Sequence, residues 1–504
     1  MNGTSASAPV DAAATTEHFD VLIVGAGFAG LAAAYHLKDQ CPLKSFVVVD
    51  SQESFGGTWL THKYPGIRSD SDLYTFGFRF KPWIGPPIAA AKEILKYLGE
   101  MIEENDLAGH IRYRHRILQA SWSSEHTRWT VVAQDPDTGE LRNYTADFLW
   151  MGSGYYRHFD GYTPNWRGKN DYQGLIVHSE TWPDNLDLSG KRVVVIGSGA
   201  TAATLIPAIA NSCAHVTMLQ RSPSYLVPGD NSFELADLLR DLKIDERWIH
   251  EIVRRKIMRD KQTFQRLCDE KPAQVKKRLL ADVSAYVGPE ITAKHFTPHY
   301  EPGIQRICFV PDGDLFKAIA SGKASIVTDE IEQFAKNAIL LKSGESLPAD
   351  VVVAATGLNL NILGDIHFTV DGKPIEFAET VMYRGLMFTG VPNLAWAVPY
   401  FRLVSATLRY EVVADFVCRL LNHMEDSGAR AVSVALRPED ADMKLSRFID
   451  EKIFNPGYVQ RAIQLWPKRG EKPEWEHSQN YFRDIEELPL VNFDDAVFVY
   501  DSRR

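Results

Sequence analysis

A chain of 504 residues is longer than one hydrophobic core can serve, since single cores stop growing near ~250–300 residues, so two or three domains are expected. With 45% hydrophobic and 24% charged residues, the composition is that of a soluble globular protein and excludes wholesale disorder. Lys plus Arg (55) against Asp plus Glu (65) leaves a formal charge of -10, which argues against nucleic acid or an anionic membrane as the main partner.

Residues 1–17 are small and polar, without the basic start and apolar run of a signal peptide, and are expected to form a flexible tail. No apolar run approaches the ~20 residues of a membrane helix, so no transmembrane segment is predicted. Cys41, Cys213, Cys268, Cys308 and Cys418 are scattered and include no C-x-x-C pair. That is neither a disulfide framework nor a zinc site; no metal is predicted, and the pattern suits a reducing cytoplasm.

The run 19–24 (FDVLIV) is apolar and β-branched, as a strand covered on both faces should be. It leads into Gly25-Ala26-Gly27-Phe28-Ala29-Gly30, a helical LAAAYHLKDQ and a second apolar run ending in Asp50. Strand, glycine turn, helix, strand and acid within about 30 residues is the dinucleotide-binding βαβ unit. The arrangement returns at 192–196 (RVVVI), followed by Gly197-Ser198-Gly199-Ala200-Thr201-Ala202-Ala203, a helix, and a strand ending at Gln220-Arg221-Ser222. The predicted fold is α/β with two Rossmann-like dinucleotide-binding domains. Charge-rich residues at about 230–295 predict a helical insertion in the second, with Arg254, Arg255, Lys256, Arg259 and Lys261 on a solvated helix face. A third strand is expected at 350–357. The expected division is 18–160 with 346–504 for one domain and 161–345 for the other.

In each glycine turn the first glycine allows the turn and the second lets the backbone approach a pyrophosphate. The third allows close helix–strand packing, and the helix N-terminus attracts the phosphates. Asp50 is placed to accept from ribose hydroxyls, which suits FAD or NAD. In the second unit Ala202 replaces the third glycine and Arg221 replaces the acid; a guanidinium can fork onto a 2′-phosphate, which predicts NADPH. One unit of each charge type predicts a flavin oxidoreductase with FAD and NADPH. Disulfide reductases of this layout need a cysteine pair soon after the first turn, and residues 51–90 contain no cysteine. Oxygen is the expected electron acceptor.

Two further stretches stand out. The loop Gly56–Asp70 is dense in glycine, proline and aromatic residues, as expected of a functional loop against a planar cofactor. Tyr172-x-Gly174-x-x-x-His178-x-x-x-Trp182-Pro183 precedes the second unit. Together with YPGIRSDSDLYTFGFRFKPW, GSGATA, QRSP and ADVVVAATGLNL, these motifs resemble those of the type I Baeyer–Villiger monooxygenases, within the flavin-containing monooxygenase superfamily, and most closely its ethionamide-activating subgroup. The fingerprint departs from the family only in Tyr172 for phenylalanine, and Gln305 stands where the wider family has lysine.

The resemblance implies FAD contacts at Gly25, Gly27, Ala29, Gly30, Asp50, Thr58, Trp59, Leu60, Thr61, Asp70 and Ile117. It implies NADPH contacts at Arg68, Ser69, Asp70, the turn Gly197–Ala203, Arg221 and Ser222. Arg306 would be the active-site arginine, held by Asp70, and the fingerprint residues would align the domains and the nicotinamide. The implied reaction inserts one atom of O2 into a ketone, giving an ester or lactone, or oxidises a thioether to a sulfoxide, through a flavin C4a-peroxide shielded by NADP+. A flavin monooxygenase hydroxylating amines, and a redox-sensing flavoprotein, are the alternatives; Trp182-Pro183 with Asp70 and Arg306 weighs against the first.

Overall fold

The computed structural model describes residues 16–501. The tail expected over 1–17 therefore lies outside the described residues except at its end, where Glu17 already belongs to a strand and pairs with Tyr144.

The strand Glu17–Val24 pairs in parallel with Phe46–Val49 on one side and Leu141–Met151 on the other. Its residues Val21, Leu22 and Ile23 are fully buried because both faces of the sheet are covered. One cover is the helix Phe28–Gln40, buried from Phe28 through Ala34 and packed against the late helix Leu408–Ser427. A helix enclosed on every side needs no polar stripe, which explains its uniformly small and apolar first two turns. The sheet grows to nine strands. Arg116–Ser123, Arg128–Gln134 and Leu141–Met151 run as an antiparallel meander, and the late strands His367–Val370 and Leu394–Trp396 join it.

The second sheet has five parallel strands in the order Ala324–Thr328, His215–Gln220, Arg192–Ile196, Val351–Ala354 and Leu175–His178. The protein is thus α/β with two dinucleotide-binding units. One expected boundary moves. Val351–Ala354, buried throughout, needs a strand on each side and finds both in the second sheet, so the division expected at 345/346 falls after residue 354. The chain crosses between the units twice, and the crossings Tyr156–Gly161 and Leu358–Leu360 pair antiparallel.

Residues 230–295 form the helices Glu234–Asp241, Glu246–Glu270, Pro272–Val287 and Pro289–His295. They are bracketed by the parallel pair Leu226–Gly229 and Cys308–Pro311. The basic cluster on the longest helix is not one solvated face. Arg255, Lys256 and Arg259 are exposed, but Arg254 is buried and donates to the carbonyls of Tyr74 (2.8 Å) and Gly77 (3.1 Å). Lys261 turns inward to Asp72 (2.7 Å). The reason is helical period: 254 and 261 lie seven apart, on the stripe of Val253, Ile257 and Met258, which packs on the chain around 72–83. No helix of the described residues is long and apolar enough to cross a membrane.

Candidate active site

The carboxyl end of the strand Glu17–Val24 and the first turn of the helix Ala200–Ile209 border one cleft of 590 Å³. Many of the expected residues line it: Gly25, Gly27, Ala29 and Asp50 from the first turn, Thr58, Trp59 and Thr61 from the loop that follows, then Arg68, Asp70 and Ile117. Ala200, Thr201 and Arg306 come from the other side.

In the first turn, Gly30 closes the helix onto the strand; a Cβ there would lie 1.7 Å from the Gly25 carbonyl oxygen. Gly27 is open, and a Cβ would meet nothing nearer than Gly57 Cα at 3.7 Å. Asp50 is 7% exposed and already engaged: Oδ2 accepts from the Ala26 N–H (2.6 Å) and Oδ1 from the Gln52 N–H (2.8 Å). Burial raises its pKa, and these two N–H groups oppose the rise. Asp50 therefore holds the turn's own backbone as well as facing the cleft. Thr58–Thr61 is one helical turn, with Thr61 Oγ1 donating to the Gly57 carbonyl (3.0 Å) and the Trp59 ring edge-on to Phe76. Leu60 belongs to the same turn but not to the cleft wall, and Ser69 is buried away from it, its Oγ accepting from the Ala89 N–H (3.2 Å).

Arg68 forks onto Asp314, at 2.6 and 3.1 Å, and Arg306 Nη1 donates to Asp70 Oδ2 at 3.1 Å. Burial works against the Arg306 charge, yet the Asp70 carboxylate holds its pKa well above the ordinary value. Tyr155 and Tyr156 stand beside it with hydroxyls 2.7 Å apart, and burial raises both phenols. Tyr155, Tyr156, Tyr410 and Asp314 escaped the sequence reading. The available signal was Gly152-Ser153-Gly154, which marks the carboxyl end of a central strand, where ligands of such sheets bind.

The second turn is more open. Ala202 and Ala203 are buried in the helix–strand packing, whereas Gly199, Arg221 and Ser222 are exposed. Gly197, Ser198, Arg221 and Ser222 lie outside the cleft wall, with Ser198 Oγ 2.9 Å from Ser224 Oγ. The fingerprint residues also stand apart from the cleft. Tyr172 donates to the Ala349 carbonyl (3.0 Å), and a Cβ at Gly174 would stand 2.3 Å from that hydroxyl. His178 Nδ1 accepts from the Glu180 N–H (3.2 Å), so Nε2 carries the proton toward the Tyr162 carbonyl (3.3 Å) at the crossing. Trp182 packs on the second core and Pro183 is exposed.

Five buried polar atoms without a protein partner belong to residues of the cleft wall: His62 Nε2, His158 Nδ1, Ser153 Oγ, Arg306 Nε and Asn361 Oδ1. With the open floor at Gly27, they fit a large polar ligand such as a dinucleotide.

Residues 19–281, just over half the chain, match the pyridine nucleotide-disulphide oxidoreductase family. The described cysteines are all free, so the likeness lies in the framework of the two units. The FAD-containing monooxygenase EthA of Mycobacterium tuberculosis is 44% identical over 497 residues, covering 97% of this chain and 99% of that protein. The probable FAD-binding monooxygenase AlmA of Acinetobacter baylyi is 40% identical over 489 residues, 97% of each. Among solved structures, an NADP-bound steroid monooxygenase superposes with a TM-score of 0.74 at 22% identity, over 96% of this chain and 99% of that one. Cyclohexanone monooxygenase bound to ε-caprolactone gives 0.74 at 20% identity, over 96% and 100%. Full-length identity at this level leaves one conclusion: the chain belongs to the FAD-containing monooxygenases, as its motifs led one to expect.

Proposed function

We propose that the enzyme uses the two electrons of NADPH to transfer one oxygen atom of O2 to a small ketone, giving an ester or lactone, or to a thioether, giving a sulfoxide, while the other oxygen atom leaves as water. The observation that carries this reading is the Arg306–Asp70 pair, set in a cleft shared by both nucleotide units. The first turn, Thr58, Trp59, Thr61, Asp50 and Ile117 would hold FAD, which when bound and reduced would supply the activation of O2. NADPH is held by the second turn, Arg68, Arg221 and Ser222.

Oxygen attacking a carbonyl gathers negative charge, which a fixed cation in a water-poor site stabilises without reorganisation. Arg306 is that cation. Asp70 takes one of its donors at Nη1, and the remaining guanidinium N–H groups of the partly exposed side chain are left for an anionic oxygen. Tyr155, Tyr156 and Tyr410 wall the site with neutral phenols and limit water. The free cysteines support a reducing, cytoplasmic setting.

Arg306→Ala is expected to keep FAD bound and reducible by NADPH while product formation falls about 10²–10³-fold. Mass analysis of products from a ketone panel and an aryl methyl sulfide checks this. Oxygenated product at the wild-type rate would overturn the assignment.

A further inference from the structure

Three alternate residues of one short segment reach across to the second half of the site, each forming an ion pair. Arg68 binds Asp314, Asp70 binds Arg306, and Asp72 binds Lys261. Arg306 and Asp314 lie just after the helical insertion and Lys261 lies within it, so the partners come from one region and the segment from another. The middle pair belongs to the proposed chemistry. The outer two have had no role.

The Lys261 end is the most enclosed. Side-chain exposure is 14% for Asp72 and 21% for Lys261, against 28% and 29% for Asp70 and Arg306. Lys261 Nζ donates to Asp72 Oδ2 (2.7 Å), Thr75 Oγ1 (2.8 Å) and Ser405 Oγ (3.1 Å). Thr75 and Ser405 lie 2.6 Å apart, and the next residues, Phe76, Ala406 and Thr407, line the cleft. One ammonium thus ties two cleft-lining segments, far apart in sequence, to the insertion. At the other end Asp314 fixes the fork of Arg68, also on the cleft wall.

We propose that Lys261 and Asp314 are positioning residues that clamp the 68–72 segment at both ends and so set the placement of Asp70 against Arg306 and the fit of the nucleotide between the two units. This rests on the function proposed above. A salt-bridged clamp acts through geometry, and a displacement near 1 Å at such a site costs up to ~10²-fold.

The test compares Lys261→Met, Lys261→Arg and, as a control on the same helix, Arg259→Ala. Two quantities are read: the dissociation constant for NADP+, from the spectral change of bound FAD, and the division of NADPH electrons between oxygenated product and H2O2. Lys261→Met is expected to retain FAD, to weaken NADP+ by ~10-fold and to send most electrons to H2O2, with Lys261→Arg recovering most of both. Wild-type values in Lys261→Met would overturn the proposal. If Lys261→Met fails to fold, Asp314→Asn, at the more open end, takes its place under the same criterion. Absence of any oxygenated product from the wild-type enzyme would sink the proposed function instead, and the NADP+ titration would still decide the clamp.

Discussion

The two glycine turns share a plan and differ in how tightly they are closed. In the first, Gly30 leaves no room for a methyl group, and Asp50 is buried with one oxygen bound to the turn's Ala26 N–H and the other to the Gln52 N–H. In the second, Ala202 sits at the matching position and is fully buried, and Arg221 stands exposed beyond the strand end. The first is a preformed, enclosed cradle, suited to a nucleotide that stays. The second presents a flexible cation at an open rim, suited to one that arrives and leaves. On the function proposed above, the charge at the end of the second strand selects the nucleotide, and the enclosure around it sets how long the nucleotide remains.

The comparison breaks most sharply at the glycines. Gly30→Ala is expected to destabilise by about 3 kcal/mol and to yield colourless protein, since the added methyl displaces the Gly25 carbonyl. Ala202→Gly, the reverse exchange in the other turn, should cost only ~1 kcal/mol. Thermal melts with flavin content read from visible absorbance check both; equal effects would mean the turns are equally closed. Next in size, Arg221→Ala removes charge-assisted hydrogen bonds of about 1.5–3 kcal/mol, so KM for NADPH should rise about 10–100-fold with little change for NADH. Equal rises would show that Arg221 does not read the 2′-phosphate.

A further test contrasts two buried carboxylates. Asp50 is satisfied by two N–H donors, whereas Glu180, beside the edge strand of the second sheet, has an unpartnered Oε2, and burial pushes its pKa up to about 8. The folded state therefore binds a proton that the unfolded chain releases near its ordinary value of 4.5. Below that value the group is neutral in both states and costs nothing. As pH rises from there to about 8 the stability falls, and above it the loss is complete. Glu180→Gln should flatten this decline, raising the melting temperature at pH 8 relative to wild type but not at pH 5. A parallel shift at both pH values would rule out titration as the cause.

Both strand–turn–helix units were legible because their evidence is local: apolar runs, glycine spacing and the residue ending the second strand all fall within a short window. Arg306 and Asp70, 236 positions apart, were reached only through family resemblance. Tyr155 and Tyr156 escaped because nothing in a tyrosine pair announces an arginine folded against it from across the chain. The inward turn of Arg254 and Lys261 was in principle readable from their heptad spacing on the apolar stripe, but a run of five cations reads first as a wet surface. Asp50's grip on the backbone was invisible for another reason: the acid's position is set by the fold, while its hydrogen-bond partners depend on turn geometry that glycine spacing alone does not specify.

The paired crossings carry a mechanical consequence. A single covalent strand would let the second unit swivel freely, but Tyr156–Gly161 and Leu358–Leu360 are hydrogen-bonded side by side. Asn359 Nδ2 adds a bond to the Asp160 carbonyl (2.9 Å), and the Arg461 guanidinium lies 3.5 Å over the Tyr162 ring. The link between the units is therefore a pair of hydrogen-bonded strands, and one unit cannot rotate against the other as it could about a single chain without disturbing those bonds.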